Sequence, residues 1–338
     1  MSGRYEVFGG LRRGAGVLPS RWAGVSAAGA LVFLLAAGCG GAESGEAGPV
    51  EGRIEVTTTT TQITDMVESV GGDEVEVEAL MGPGVDPHSY QASQSDTEAL
   101  TETDAIFYNG LFLEGQLTEL LEQAGQQNPA VRVTDAIPEE ELLASSDYDG
   151  QNDPHVWFDP ELWAMTVDPV VEQLSELKPA SAEEFERNGE EYEREIMSAH
   201  EYAERKLSDV PEDRRVLVTA HDAFGYFGEA YGYEVRGLQG ISTEDEAGTG
   251  DVQELADELV EDEIPAIFVE SSVPRRNIEA VQAAARDQGW NVTVPEQELY
   301  ADAMGEPGTE AGTYAGMLRA NADTISEALT RDAEQEQR

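Results

Sequence analysis

The sequence predicts an α/β fold of two lobes, each a small, mostly parallel β-sheet flanked by helices, with one long helix between them. Short runs of β-branched and apolar residues alternate with amphipathic stretches, which is typical of βα units. The alternation is interrupted between residues 180 and 211, where apolar residues recur at helical spacing among charged ones. It resumes after residue 212, which indicates a second lobe.

The first lobe is predicted to contain four strands and at least two helices. The strands span residues 54–60, 74–80, 105–109 and 130–133, and a helix spans about 62–70. A further helix is expected to begin at Asp159-Pro160, because Asp caps helix N-termini and Pro fits the first turn. Pro169 is expected to kink or break that helix.

The long helix is predicted over Ser181 to Val210, between Pro179 and Pro211. At 1.5 Å per residue it would measure about 45 Å, enough to run along two small lobes. Its apolar stripe consists of Phe185, Tyr192, Ile196, Ala199, Ala203, Leu207 and Val210. In the second lobe, strands are predicted at residues 215–219, 266–270 and 290–294, and helices at 251–261, 277–287 and 314–329.

Residues 1–38 are predicted to be a signal peptide. Four arginines accompany an apolar run over residues 23–37 that is too short to span a membrane. Cys39 follows Ala36-Ala37-Gly38, which favours lipidation of its thiol; the alternative is an ordinary cleavage site followed by an incidental cysteine. Export by the Sec or the twin-arginine route is left open. Because Cys39 is the only cysteine, no disulfide forms within the chain.

The predicted domain organisation follows from these elements. After the signal peptide come a flexible, lipid-anchored tether rich in Gly, Glu, Ala and Ser, an N-terminal lobe, the linking helix, a C-terminal lobe and a polar tail. Their bounds are residues 39–52, 53–179, 180–211, 212–330 and 331–338.

The chain is strongly acidic, with 69 Asp and Glu residues against 20 Lys and Arg and a formal net charge of −49. Such a surface repels nucleic acid and offers no basic patch for phosphate. Adaptation to high salt is the favoured explanation. The alternative is that the negative field gathers cations, but high ionic strength would screen most of that long-range attraction.

Histidines carry the functional signal, since the chain has only four. Three lie just after a predicted strand or just before a predicted helix, in Asp86-Pro87-His88, Asp153-Pro154-His155 and Thr219-Ala220-His221. Any one of them could be an ordinary hydrogen-bonded imidazole, but three in matching positions favour a metal site. Ligands of open α/β sheets bind at the carboxyl ends of the strands. His200 lies in the long helix and is expected to be a solvated helix residue.

A divalent cation also favours an anionic ligand, and Asp302 follows the last predicted strand of the second lobe. These four residues lie much further apart than the short ligand pairs of structural zinc sites. The fold would therefore have to assemble the site, with His88 and His155 from one lobe and His221 and Asp302 from the other. Glu270 and Asp222 are candidates to orient His221 through its second ring nitrogen.

Longer stretches around these residues resemble the cluster A-I substrate-binding proteins of metal-importing ABC transporters, the zinc/manganese family of Tro-type proteins. The similarity extends from Ile54 to Leu329. It rests on residues 80–88, 107–111, 153–159, 219–224, 237–243 and 300–305. The resemblance implies two lobes joined by a single rigid helix that move little on binding, and it places the metal ligands at His88, His155, His221 and Asp302.

The same resemblance implies the function. We expect an extracytoplasmic lipoprotein on the outer face of the cytoplasmic membrane, monomeric and not an enzyme, that delivers Zn²⁺ or Mn²⁺ to an ABC permease and its ATPase. Three imidazoles and a carboxylate suit zinc, although relatives with such a set are linked to both metals. The acidic residues 138–153 before His155 contain no histidine, which argues against a zinc-scavenging loop.

Two other functions remain open. Some relatives were first named adhesins, so a cell-surface interaction protein is one alternative. A zinc hydrolase is less favoured, because catalytic zinc normally has three protein ligands and an open position, and no His-Glu-x-x-His motif occurs here. Metal affinity is expected to fall below about pH 6, where protons compete for imidazole.

Overall fold

The structure is a computed structural model that describes residues 49–145 and 150–330. The predicted signal peptide, Cys39, most of the tether and the polar tail lie outside the described residues. Within the described residues, none of the helices combines the length and the apolar character needed to cross a bilayer.

The first lobe is built on a four-stranded parallel sheet in the order β2-β1-β3-β4. The strands are β1 (Ile54–Thr58), β2 (Val75–Ala79), β3 (Ala105–Tyr108) and β4 (Ala130–Arg132), and the crossover helices are α1 (Thr61–Gly71), α2 (Gln94–Thr101) and α3 (Thr118–Ala124). All four predicted strands are confirmed, each slightly shorter than predicted. The carboxyl ends of β1, β2, β3 and β4 meet at one edge of the sheet because all run in the same direction.

The helix predicted to start at Asp159-Pro160 is α4 (Pro160–Met165), and it is followed by α5 (Val167–Leu177). The Asp159 carboxylate accepts the backbone N–H groups of Glu161 and Leu162 at 2.9 and 3.3 Å, as an N-cap should. The predicted break is present but falls at Thr166. Pro169 therefore lies in the first turn of α5, where its missing N–H removes no helical hydrogen bond.

The long helix α6 (Ala182–Leu207) has 26 residues, which corresponds to about 39 Å. Every residue of its predicted apolar stripe is buried, and the helix contacts α1, α4, α5 and α10. Gly189 allows the close approach of α5, since a Cβ there would lie 2.7 Å from a methyl group of Val171. The helix is thus packed along its length rather than exposed as a free connector.

The second lobe contains a regular two-stranded parallel sheet, β5 (Val216–His221) and β6 (Glu234–Gln239). Its helices are α7 (Gly225–Tyr231), α8 (Thr249–Glu261), α9 (Arg276–Asp287) and α10 (Tyr314–Thr330). The predicted helices of this lobe correspond to α8, α9 and α10. The strand β6 and the helix α7 were not predicted.

The prediction of regular strands at residues 266–270 and 290–294 is wrong. These segments are extended but make only isolated parallel bridges, at Ala266–Thr293 and Glu270–Leu299. The Phe268 N–H still donates to the Val218 carbonyl at 2.8 Å, so the first segment continues the sheet beside β5. Pro265 and Pro295 contribute no N–H to a ladder here, which explains why regular pairing fails.

One hydrophobic core runs through both lobes. It includes Ile54 and Phe107 of the first lobe, Leu217 and Phe268 of the second, and the buried stripe of α6. Two smaller clusters lie beneath α8 and α9 and beneath α2 and α3. Because the lobes share the main core, separating them would expose apolar surface, which favours small movements over wide opening. The domain boundaries given above stay a prediction.

Candidate metal site

The four predicted ligands lie at the carboxyl ends of strands or in loops beside them. His88 is in the loop after β2, and His155 immediately precedes the single 3₁₀ turn that leads into α4. His221 is the last residue of β5, so this strand extends two residues further than predicted. Asp302 lies three residues after the bridge at Leu299.

The structure brings these four side chains together. One potential ligand atom from each lies within 4.8 Å of all the others. The Nε2 atoms of His88 and His155 are 3.2 Å apart, and the Asp302 Oδ1 atom lies 3.4 Å from His155 Nε2 and 3.3 Å from His221 Nε2. A tetrahedral ion with ligand bonds of about 2.0–2.2 Å would separate its ligands by about 3.3–3.6 Å.

The site is closed to solvent. His155 and His221 are fully buried, and His88 and Asp302 are 4% and 1% exposed. Within the described residues, His221 Nε2 and Asp302 Oδ1 are buried without a hydrogen-bond partner. Such atoms are costly unless something satisfies them. A cation between the lobes would satisfy both.

Both Asp-Pro-His sequences form the same local turn. The Asp86 carboxylate accepts the backbone N–H of His88 at 2.9 Å, and Asp153 accepts that of His155 at 2.9 Å. Asp153 also accepts a hydrogen bond from His155 Nδ1 at 2.7 Å, which leaves Nε2 facing the other donors. The sequence signal was the repeated Asp two residues before His, whose role as acceptor was not predicted.

Glu270 holds His221 from two sides. One carboxylate oxygen accepts the His221 backbone N–H at 2.9 Å and the other accepts from Nδ1 at 2.5 Å. Glu270 therefore contacts both the backbone and the ring of His221, and its role in orienting the imidazole stays a prediction. The other candidate, Asp222, donates its backbone N–H to the carbonyls of Gln239 and Gly240, and the ring contact of His221 is made by Glu270.

The loop that carries Asp302 is held by residues of the first lobe. The Gln62 amide and the Trp157 indole both donate to the Ala301 carbonyl, at 3.2 and 3.1 Å. The Met304 N–H donates to the Thr61 hydroxyl at 2.8 Å. The sequence analysis did not predict that Thr61, Gln62 and Trp157 hold this loop. Polar residues are common at the start of a helix and tryptophan is common in a core, so neither pattern indicates a contact with a distant loop.

Burial and neighbouring carboxylates shift the histidine pKa values of the site in opposite directions. Burial lowers the pKa of His88 to about 4. Burial also acts to lower the pKa of His155, but the adjacent Asp153 and Asp302 carboxylates outweigh it and raise the pKa to about 9. The pKa of His221 is raised for the same reason by Glu270 and Asp302. Although burial opposes ionisation of Asp302, the neighbouring histidines hold its pKa well below its usual range.

The fourth histidine takes no part in this cluster. His200 Nδ1 lies 3.0 Å from the Tyr231 hydroxyl, so the imidazole links α6 to α7. The sequence predicted a solvated helix residue, whereas the structure shows His200 part-buried. Among the described residues, the four-residue cluster is the one group whose His, Cys, Asp or Glu atoms converge closely enough for a metal.

The sequence matches the family described as zinc-uptake complex component A, periplasmic, over residues 56–328. The chain belongs to this family. Two relatives cover nearly the same part of the chain. It is 46% identical to the manganese-binding lipoprotein MntA of Bacillus subtilis, over 86% of this chain and 94% of that protein. It is 44% identical to the zinc-binding protein TroA of Treponema pallidum, over 83% and 90% of the two chains.

A solved structure confirms the family's fold for this chain. The periplasmic zinc-binding protein TroA from Treponema pallidum superposes with a TM-score of 0.80 and 45% sequence identity, over 83% of this chain and all of that one. The fold of two α/β lobes with a long helix between them is therefore the fold of this family.

Proposed function

We propose that this protein binds a divalent transition metal ion, zinc or manganese, between its two lobes outside the cell and delivers it to an ABC importer. The observation that carries the proposal is the convergence of three imidazole nitrogens and one carboxylate oxygen in a buried site. Membership of a metal-uptake family and relatives named for zinc and manganese support it.

The proposed ligands are His88, His155, His221 and Asp302. With Asp302 ionised and the imidazoles neutral, this set supplies one negative charge to a doubly charged ion. Four protein donors complete a tetrahedral sphere and leave no open position for an activated water, which favours transport over hydrolysis. Glu270 and Asp153 would fix the imidazoles with Nε2 towards the ion.

Zinc is the ion that the donors favour in affinity. Three nitrogens and one oxygen in tetrahedral arrangement suit Zn²⁺, whereas Mn²⁺ prefers more oxygen ligands and binds more weakly to any such set. The two relatives described above are named for different metals, one for manganese and one for zinc. The proposal therefore includes both ions as cargo.

The export and partners of the protein belong to the same proposal. A signal peptide over residues 1–38 and a lipid on Cys39 would hold the metal-binding lobes at the outer face of the cytoplasmic membrane. The tether would let a loaded monomer reach a permease with its ATPase subunit. The name of the MntA relative, a manganese-binding lipoprotein, supports this placement.

Equilibrium dialysis against Zn²⁺ or Mn²⁺, followed by elemental analysis, tests the binding site. We expect one tightly bound ion per chain in the unsubstituted protein and a loss of at least tenfold in affinity for His221→Ala. His200→Ala is the matched control, since His200 contacts Tyr231 outside the cluster. Full metal content in His221→Ala at limiting metal would remove His221 from the ligand set.

A further inference from the structure

The side chain of Asp86 bridges the two lobes on the solvent side of the buried donors. One of its carboxylate oxygens accepts the backbone N–H of His88. The other accepts hydrogen bonds from Ser89 of the same loop at 2.8 Å and from Thr243 of the second lobe at 2.6 Å. Asp86 and Thr243 are part-buried and Ser89 is exposed, whereas the donors beneath them are buried.

The loop that carries Asp86 lies close against the second lobe. A Cβ on Gly84 would lie 3.5 Å from the Ser271 carbonyl oxygen. A second polar contact crosses between the lobes nearby, from the Gln116 amide to the Glu244 carboxylate. Both of these residues are exposed, so water competes for that contact and it should contribute less than the part-buried one.

The contacts between the lobes next to Asp302 are fully buried, unlike those of Asp86. Gln62 and Trp157 are buried and hold the Ala301 carbonyl, and the shared core lies behind them. A small opening of the lobes that preserved this packing would separate the solvent-side contacts first. The hydrogen bond from Thr243 to Asp86 crosses between the lobes, so an opening that separates them at this point would break it.

We propose that Asp86 is a latch that couples closure of the lobes to the position of His88. When Thr243 donates to it, the carboxylate is fixed between the two lobes and holds the backbone of the ligand His88. When that bond is broken, Asp86 keeps only contacts within its own loop, and the His88 loop is free to leave the ion. Metal release and lobe opening then become one event. The inference rests on the proposed function.

Metal dissociation kinetics test the latch. Protein loaded with Zn²⁺ is mixed with excess chelator, and the release rate is followed for Thr243→Val, which removes the hydroxyl and keeps the shape. We expect release about tenfold faster, the effect of losing one hydrogen bond to a charged acceptor. Thr243→Ser restores a hydroxyl and should restore slow release. Thr243→Ala is a second variant without a hydroxyl, and circular dichroism checks that each variant is folded.

Ser89→Ala is the matched control, because it removes the other donor to the same carboxylate oxygen without touching the second lobe. We expect its release rate to stay within about twofold of the unsubstituted protein. Equal acceleration by Ser89→Ala would show that Asp86 acts only within its own loop, and unchanged release in both Thr243→Val and Thr243→Ala would show that no latch exists. If the unsubstituted protein binds no metal, the proposed function fails instead.

Discussion

At the scale of residues, carboxylates outside the proposed ligand set determine which way the imidazoles face. Asp153 and Glu270 each bind both the backbone N–H and the Nδ1 atom of a histidine, so two ring planes are fixed before any ion arrives. Each buried carboxylate also strengthens the electron donation of the opposite ring nitrogen. The ligand set is therefore preorganised by residues that would never touch the metal.

Glu270→Gln tests this orientation. The amide oxygen can accept only one of the two hydrogen bonds that the carboxylate oxygens accept, and the side chain carries no charge, so His221 loses its ionic partner and one acceptor although the side-chain volume is kept. We expect zinc affinity to fall about 10- to 100-fold, as measured by competition with a chelator of known affinity. Glu296→Gln, an exposed change in the same lobe, should leave it unaltered. An unaltered affinity in Glu270→Gln would mean that packing alone orients His221.

The pKa shifts predict how metal affinity depends on pH. The pKa of His155 is raised to about 9 by Asp153 and Asp302, and that of His221 is raised by Glu270 and Asp302. Metal binding must displace these protons, so affinity should rise with pH until about 9 and fall progressively below it. Affinity measured from pH 6 to 9 should increase by at least about tenfold per pH unit. The sequence alone predicted a loss of affinity only below about pH 6, so an affinity that stays constant between pH 6 and 9 would contradict the dependence expected here.

The sequence contained the four candidate ligands and Glu270, but not the contacts that hold the loop of Asp302. His88, His155, His221 and Asp302 are found together as predicted, because strand ends in parallel sheets converge whatever the details of the loops. Gln62 and Trp157 act through one backbone carbonyl of a distant loop. No local pattern encodes such a partner, since it depends on how the lobes are packed.

At the scale of elements, helices and strands were predicted correctly where the apolar residues follow a single helical or strand periodicity. The apolar stripe of α6 gave its bounds to within three residues at either end, and all strands of the first sheet were found. The segments at 266–270 and 290–294 have the composition of strands but make isolated bridges. An apolar, β-branched composition indicates that a segment is buried in a sheet. A regular ladder of hydrogen bonds also requires backbone N–H groups, which Pro265 and Pro295 lack.

One junction of three helices makes stability depend on pH. Asp65 of α1 accepts hydrogen bonds from the Tyr192 hydroxyl of α6 and from the backbone N–H of Tyr314, the first residue of α10, at 2.9 and 3.0 Å. Burial, which outweighs these two hydrogen bonds, raises the pKa of Asp65 to about 6, with smaller contributions from Glu68 and Glu195. In the unfolded chain the pKa would be about 3.9.

Asp65→Asn should remove this dependence. The folded protein binds more protons at Asp65 than the unfolded chain between about pH 4 and 6, so this residue's contribution to stability falls as pH rises through that range. We expect the change in the free energy of unfolding caused by Asp65→Asn to be more favourable at pH 7 than at pH 4.5, by on the order of 1–2 kcal/mol. Denaturant unfolding of both proteins at the two pH values measures it. Glu68→Gln on the exposed side of α1 is the control and should change the pH dependence less. If both variants changed the pH dependence of stability equally, this dependence would arise from the surface charge in general and not from Asp65.

At the scale of the whole molecule, a shared apolar core is surrounded by a surface of one dominant charge. The core holds both lobes against α6 and α10 and limits their movement. The surface carries the excess of acidic residues behind the net charge of −49. Described ion pairs such as Arg236 with Glu234, Glu258 and Asp262 offset only a part of it. The surface charge therefore opposes the compact form that the core favours.

This opposition predicts that salt stabilises the protein. The Debye length falls from about 10 Å at 0.1 M to about 3 Å at 1 M salt, so repulsion between separated carboxylates is largely screened. We expect the melting temperature to rise by several degrees between 0.1 and 2 M KCl. Replacing the exposed Glu186, Glu190 and Glu191 of α6 by Gln should raise it at low salt and weaken its salt dependence.

The association rate of the metal distinguishes the two explanations of the acidic surface. If the surface serves to gather cations, the rate should fall steeply over the same salt range, and the triple Gln variant should bind metal more slowly at low salt. If it serves salt adaptation, as we expect, the triple variant should bind metal at the rate of the unsubstituted protein while differing in stability. The buried donors are unaffected by the three substitutions, so a change in association rate alone would indicate long-range attraction.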